Sequence, residues 1–135
     1  MRFIFIFLTV SLIFAVGCEY HSPNTKNHTL ISGKQLTNYQ EDKLEIPGSD
    51  KHTLLVFYQT EIPVENKESL RKEIEEILAT LQADKSKKDL KTGAVVAHHW
   101  ETYGFFRRLK HTKEYFSFYR DNDGKFRLKE KNSGS

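Results

Sequence analysis

The chain has 135 residues, of which 38% are hydrophobic, 29% charged and 13% aromatic; these values fit one modest core and rule out a polytopic membrane protein, a fibrous repeat and wholesale disorder. A single Cys rules out an intramolecular disulfide framework and a multi-cysteine zinc site, and seven Gly with three Pro are too few for a low-complexity chain. A formal charge of +3 selects no class of partner by itself.

Met1 and Arg2 precede a run, 3–16, in which only Thr9 and Ser11 are polar, and then come Gly17 and Cys18. A helix that crosses a bilayer takes about 20 apolar residues. This run is shorter and turns polar at Glu19, the profile of a signal peptide over 1–17. Ala15, Val16, Gly17 and Cys18 resemble the lipobox of bacterial lipoproteins. The resemblance stops at Cys18 and leaves the mature domain unassigned. It implies that the Cys18 thiol takes diacylglycerol, that the preceding bond is cut, and that the new amino group is acylated, typically with palmitate. Several buried acyl chains hold a protein far more firmly than one, at about 0.8 kcal/mol per buried CH₂. The expected location is therefore membrane-anchored and extracytoplasmic. With Glu19 after the Cys in place of Asp, it is the periplasmic face of the outer membrane in a Gram-negative cell and the cell surface in a Gram-positive one.

Residues 18–51 read as the lipidated Cys and a polar tether, rich in Asn, Ser, Thr and Lys, with scattered Leu30, Ile31, Leu36, Leu44 and Ile46. Such a coil spans on the order of 30 Å; the alternative is that 30–31 or 44–46 adds a short edge strand. Residues 52–131 form a single α+β domain, and 132–135 a disordered tail. The β-branched and aromatic segment 53–60 predicts an interior strand. From Asn66, a candidate N-cap, Leu70, Ile74, Ile77, Leu78 and Leu81 make one helical stripe, with Glu68 and Lys72 spaced for an i,i+4 pair. The helix ends near Asp84, and Lys85, Lys87 and Lys88 complement its carbonyl end. Thr92 and Gly93 read as a turn and 94–103 as a long strand. Residues 114–120 and 125–130 form a hairpin around Asp121, Asn122, Asp123 and Gly124. The expected fold class is α+β: a small antiparallel sheet of about four strands with one amphipathic helix packed on one face, in the order strand, helix, strand, strand, strand.

Without residues 1–17 the formal charge is +2, but 105–131 holds nine basic and four acidic residues. In the last hairpin Phe116, Phe118, Phe126 and Leu128 alternate with Tyr115, Tyr119, Lys125, Arg127 and Lys129. The second set makes a tyrosine and cation face. Tyr and Arg combine large area with polar tips and dominate recognition hot spots, yet Tyr and Lys are also ordinary residents of a solvated sheet face. Both readings stand.

For metal, His98, His99 and Glu101 on one strand, with His111, are the candidate ligands, although strand alternation splits His98 from His99 and Glu101. Asp121, Asp123, Gly124 and Glu130 echo a calcium loop, but its first position would be Tyr119. Ser69 to Lys72 matches S-x-x-K, and Lys91, Thr92 and Gly93 match K-T-G, without the S-D-N element or the length that chemistry needs. We assign no catalytic residue and no cofactor. The expected function is a non-catalytic, membrane-anchored exported lipoprotein that binds another envelope component, either a protein or an anionic glycan or lipid, and export argues against nucleic acid. The alternatives are a small metal-assisted hydrolase using His98, His99, Glu101 and His111, and a self-associating homodimer.

Overall fold

A computed structural model describes residues 26–45, 47–48 and 52–130. The signal peptide, Cys18 and the 132–135 tail lie outside the described residues.

The helical stripe becomes α1 (Lys67–Ala83). The Asn66 side chain accepts from the Ser69 amide at 3.3 Å, satisfying one of the donors a helix start leaves orphaned. Lys72 reaches Glu68 at 3.1 Å. Leu70, Ile74, Ile77, Leu78 and Leu81 are all buried. A cap, one ion pair and five buried aliphatics thus place the element and decide which side faces the sheet.

That sheet has six strands: β1 (Lys26–Thr29), β2 (Gln35–Glu45), β3 (His52–Gln59), β4 (Thr92–Tyr103), β5 (Arg108–Arg120) and β6 (Phe126–Leu128). They lie side by side in sequence order. Every neighbouring pair is antiparallel except β3 and β4, which run parallel from Thr53↔Thr92 to Gln59↔His98. A parallel pair needs a long crossover, and α1 with a 3₁₀ turn (Lys85–Lys87) supplies it. The result corrects the expected fold class. The structure is mostly sheet, 50% strand and 20% helical, with six mixed strands curled into a half-barrel rather than four antiparallel strands carrying a packed helix.

The two extra strands at the start come from the stretch read as a tether. Leu30, Leu36 and Tyr39 are buried there, and register shifts fall between Lys26 and His28 and between Thr37 and Gln40. The second shift includes Asn38 at φ 52°. A bulge of this kind puts Leu36 and Tyr39, three apart, on the same face, so no alternation of period two shows in the sequence.

Leu54, Val56 and Tyr58 of β3, Val95 and Ala97 of β4, Phe118 of β5 and Phe126 of β6 meet the helix stripe in one core. Gly93 is an interior residue of β4 and not a turn: it pairs with Leu54 on one side and Phe118 on the other. A side chain there would meet the Phe118 ring and the Leu54 carbonyl oxygen, so the absence of Cβ lets the ring lie against the strand. Two polar clasps tie the layers together. Glu73 of α1 accepts from Tyr58 Oη at 2.8 Å and Thr60 Oγ1 at 2.6 Å and pairs with Lys34. Burial and the Glu73 charge hold the Tyr58 phenol protonated, with its pKa raised well above the ordinary range. Arg120 donates from Nε to the Leu90 carbonyl (2.8 Å), from Nη1 to Gly124 (2.7 Å) and from Nη2 to Lys87 (2.9 Å), and its guanidinium lies 4.2 Å from the Phe126 ring centre. Arg120, one of the nine cations of the basic stretch, is thus spent on the fold. Among the described residues no helix is long and apolar enough to cross a membrane.

Candidate binding edge and face

Strand β5 is 13 residues long, while β6 pairs only with Phe118, Tyr119 and Arg120. One further bond, from the Lys129 amide to the Ser117 carbonyl at 2.8 Å, extends that cover. Among the described residues no other strand pairs with β5 over 108–113 on the side away from β4. The Arg120 amide donates to Lys91 on the β4 side and the Ser117 carbonyl accepts on the β6 side. Alternation therefore turns the backbone groups of Leu109, His111, Lys113 and Tyr115 toward the open edge.

Two adjoining open grooves, of about 450 Å³ and about 480 Å³, run along α1, the first beside 114–117 of β5 and 128–130, the second beside β6. Phe116 and Leu128 supply apolar wall to the first, and Lys67 and Arg71 of α1 stand at its rim. The five residues predicted for binding border these grooves, Tyr115 and Lys129 the first, Tyr119, Lys125 and Arg127 the second. Tyr115 and Tyr119 are exposed, and Tyr119 pairs directly across from Arg127. Arg127 is held by Asp121 at 2.8 Å, which keeps the Asp121 carboxyl below its ordinary pKa and raises that of Arg127. The Asp121 carboxylate also accepts from the amides of Asp123 and Lys125 at 2.9 Å each, so the acidic turn is closed upon itself.

The metal candidates separate into two sites. His98 and His111 meet on the helix-free face, with Nδ1 of one 2.8 Å from Nε2 of the other. They continue a row of rings in which Phe57 is 6.2 Å from His98 and Trp100 is 4.1 Å from His111, centre to centre. Burial, His111 and Lys113 lower the His98 pKa, consistent with a bond in which one neutral ring donates to the other. His99 points to the opposite face, where its Nδ1 lies 3.0 Å from the Thr60 carbonyl and its Nε2 3.9 Å from Glu101. Glu101 also meets Lys110 at 3.4 Å. Among the described residues no three His, Cys, Asp or Glu side chains gather as ligands. What joins His98 to His111 is ring stacking and one hydrogen bond, and what holds His99 is the end of β3.

Two features escape the sequence reading. One is the open edge itself, because 108–113 carries no clear alternation. The other is the tip of the β4–β5 hairpin, where Phe105 and Phe106 stand exposed. The signal for the tip is present in Tyr103, Gly104, Phe105, Phe106, Arg107: two consecutive Phe beside a Gly cannot both face a core from one strand. Comparisons with protein families, with curated proteins and with solved structures find no match to this chain.

Proposed function

We propose that this protein is a non-catalytic lipoprotein, anchored through Cys18 on the outer side of a cell membrane, that holds an extended, acidic segment of another envelope protein along the open edge of β5. The edge of β5 at 108–113, which no other strand among the described residues covers on the side away from β4, carries the reading: such a strand edge is a template for one more strand, with backbone bonds giving affinity and flanking pockets giving selectivity. A partner strand in line with β6 would lay alternate side chains into the groove walled by Phe116 and Leu128.

Charge favours an acidic partner over a second copy. The edge and the groove beside it hold Arg108, Lys110, Lys113, Lys67, Arg71 and Lys129 against Glu114 and Glu130, and this excess of cations disfavours bringing two such edges together. The lipid anchor adds confinement. Cys18 lies eight residues before Lys26, a reach of at most about 26–29 Å, and confinement to a surface raises the effective concentration of a modest binder.

Crosslinking in the native cell tests this, comparing wild type with Tyr115→Ala/Tyr119→Ala/Arg127→Ala and with Lys113→Pro. The proline removes an amide that faces outward and leaves the bonds to β4 in place. Loss of one specific protein adduct in both variants, with normal circular dichroism, is the expected result. Identical adducts in all three proteins would refute the edge reading. Palmitate labelling lost in Cys18→Ala is the expected result for the anchor.

A further inference from the structure

The β4–β5 ladder outruns the rest of the sheet. Strand β3 ends at Gln59↔His98, whereas β4 and β5 go on through Trp100↔His111, Glu101↔Lys110, Thr102↔Leu109 and Tyr103↔Arg108. These four pairs form a two-stranded arm about 13 Å long before its turn. Every residue from 102 to 111 is exposed. At the apex the turn closes with Arg107 N–H donating to the Gly104 carbonyl at 3.2 Å and with both residues at positive φ, Gly104 at 75° and Arg107 at 49°. Phe105 is 95% and Phe106 84% exposed, their rings edge to face at 5.5 Å.

Two almost bare Phe rings at the end of a projecting hairpin are costly in water, where each forfeits about 1.5–3 kcal/mol of available burial. An isolated two-stranded ribbon is also marginal. The chemistry around the apex is layered. Arg107 and Arg108 follow the rings, and among the described residues neither is in an ion pair; Lys110 is next, with Tyr103, Leu109 and Trp100 exposed along the shaft. Residues 100–113 contain Arg107, Arg108, Lys110 and Lys113 against one acidic residue, Glu101, which pairs with Lys110 at 3.4 Å. Apolar apex, aromatic shaft and cations at the join match the layers of a bilayer surface: acyl chains, interface and anionic headgroups.

We propose that this arm is a membrane-contacting finger: Phe105 and Phe106 enter the boundary between headgroups and acyl chains of an anionic phospholipid bilayer, and Arg107 and Arg108 hold the headgroup phosphates. The inference goes beyond the strand-addition reading and needs only the arm. With the finger in the bilayer the domain takes a fixed tilt instead of swinging on its anchor, which sets the height and direction of the β5 edge.

The chain has a single Trp, so Phe106→Trp in a Trp100→Phe background puts the only indole at the apex. The full-length protein is reconstituted into vesicles of phosphatidylcholine with phosphatidylglycerol, with bromine on the acyl chains. The expected result is a blue shift of the emission and its loss to bromine, with protection from iodide in the water. Arg107→Gln/Arg108→Gln should weaken insertion about fivefold per charge at low salt. Iodide quenching without bromine quenching would overturn the proposal. So would a blue shift without lipid that grows with protein concentration, because a second copy would then cover the rings. Phe105 and Phe106 touch no core residue that such variants disturb, so unchanged circular dichroism is expected throughout. The envelope crosslink is read at Tyr115, Tyr119, Arg127 and Lys113, so failure of the finger and failure of the strand-addition reading are told apart.

Discussion

Replacing Glu73 tests the most buried charged side chain among the described residues. Its side chain is 4% exposed, and both hydroxyl donors, Tyr58 Oη and Thr60 Oγ1, converge on the same oxygen, Oε1, while Lys34 takes Oε2. In Glu73→Leu both hydroxyls lose their acceptor inside the core, at about 1–3 kcal/mol each. Lys34 is half exposed and turns to water at little cost. Added apolar burial returns part of the loss, so the net cost is about 2–4 kcal/mol. Glu73→Gln is different, because one amide oxygen placed at Oε1 still serves both hydroxyls; it should cost about 1 kcal/mol. Tyr58→Phe combined with Glu73→Leu removes donor and acceptor together and should be more stable than Glu73→Leu alone. Equilibrium unfolding in urea, followed by far-ultraviolet circular dichroism, measures all three. A Gln variant as damaged as the Leu variant, or a double variant without recovery, would refute the reasoning.

Gly93→Ala should destabilise by about 3 kcal/mol or more, because the new Cβ would fall on the Phe118 ring and 2.5 Å from the Leu54 carbonyl oxygen, and the second is backbone of a paired strand; a urea midpoint near wild type would contradict this. Arg120→Lys keeps the charge but cannot span three carbonyls or stack on Phe126, and should cost about 2–3 kcal/mol in the same assay. The His98 pKa lies below its ordinary value of 6.5, so the unfolded chain binds that proton more readily. Stability is then full above about pH 6.5 and declines as the pH falls from there toward the folded value. His98→Gln should flatten that decline in thermal melts between about pH 7 and pH 5, and a wild-type profile already flat would count against the assignment.

The legible parts of this fold are those where one period dominates. The Leu and Ile stripe from Leu70 to Leu81 reads as α1 because an aliphatic at every third or fourth place has no other simple meaning. Strands β3 and β4 read from their β-branched runs. Strand β2 does not, since the bulge at Asn38 destroys its alternation and its other face is polar. The parallel pairing was present in the spacing: a 17-residue helix between two interior strands is the connection parallel neighbours need and antiparallel ones do not. Along the last hairpin, alternation is enough to put Tyr115, Tyr119 and Arg127 on one face, because period two survives through the turn. Composition counts Arg120 with the basic stretch and does not show that its guanidinium turns inward to three carbonyls. The split of His98 from His99 follows from strand geometry alone, but the meeting of His98 with His111 depends on the register of β4 and β5, which no local pattern displays.

The strands stand in the sheet in the order in which they stand in the chain. Each therefore finds its neighbour already made when the polypeptide arrives amino end first, and β2 through β6 can be laid down by accretion, without threading or rearrangement. Only the step from β3 to β4 has to wait for a longer loop to close, and α1 fills that loop with local contacts. A chain that emerges amino end first can thus fold as it appears, with β5 and β6 among the last surfaces to form.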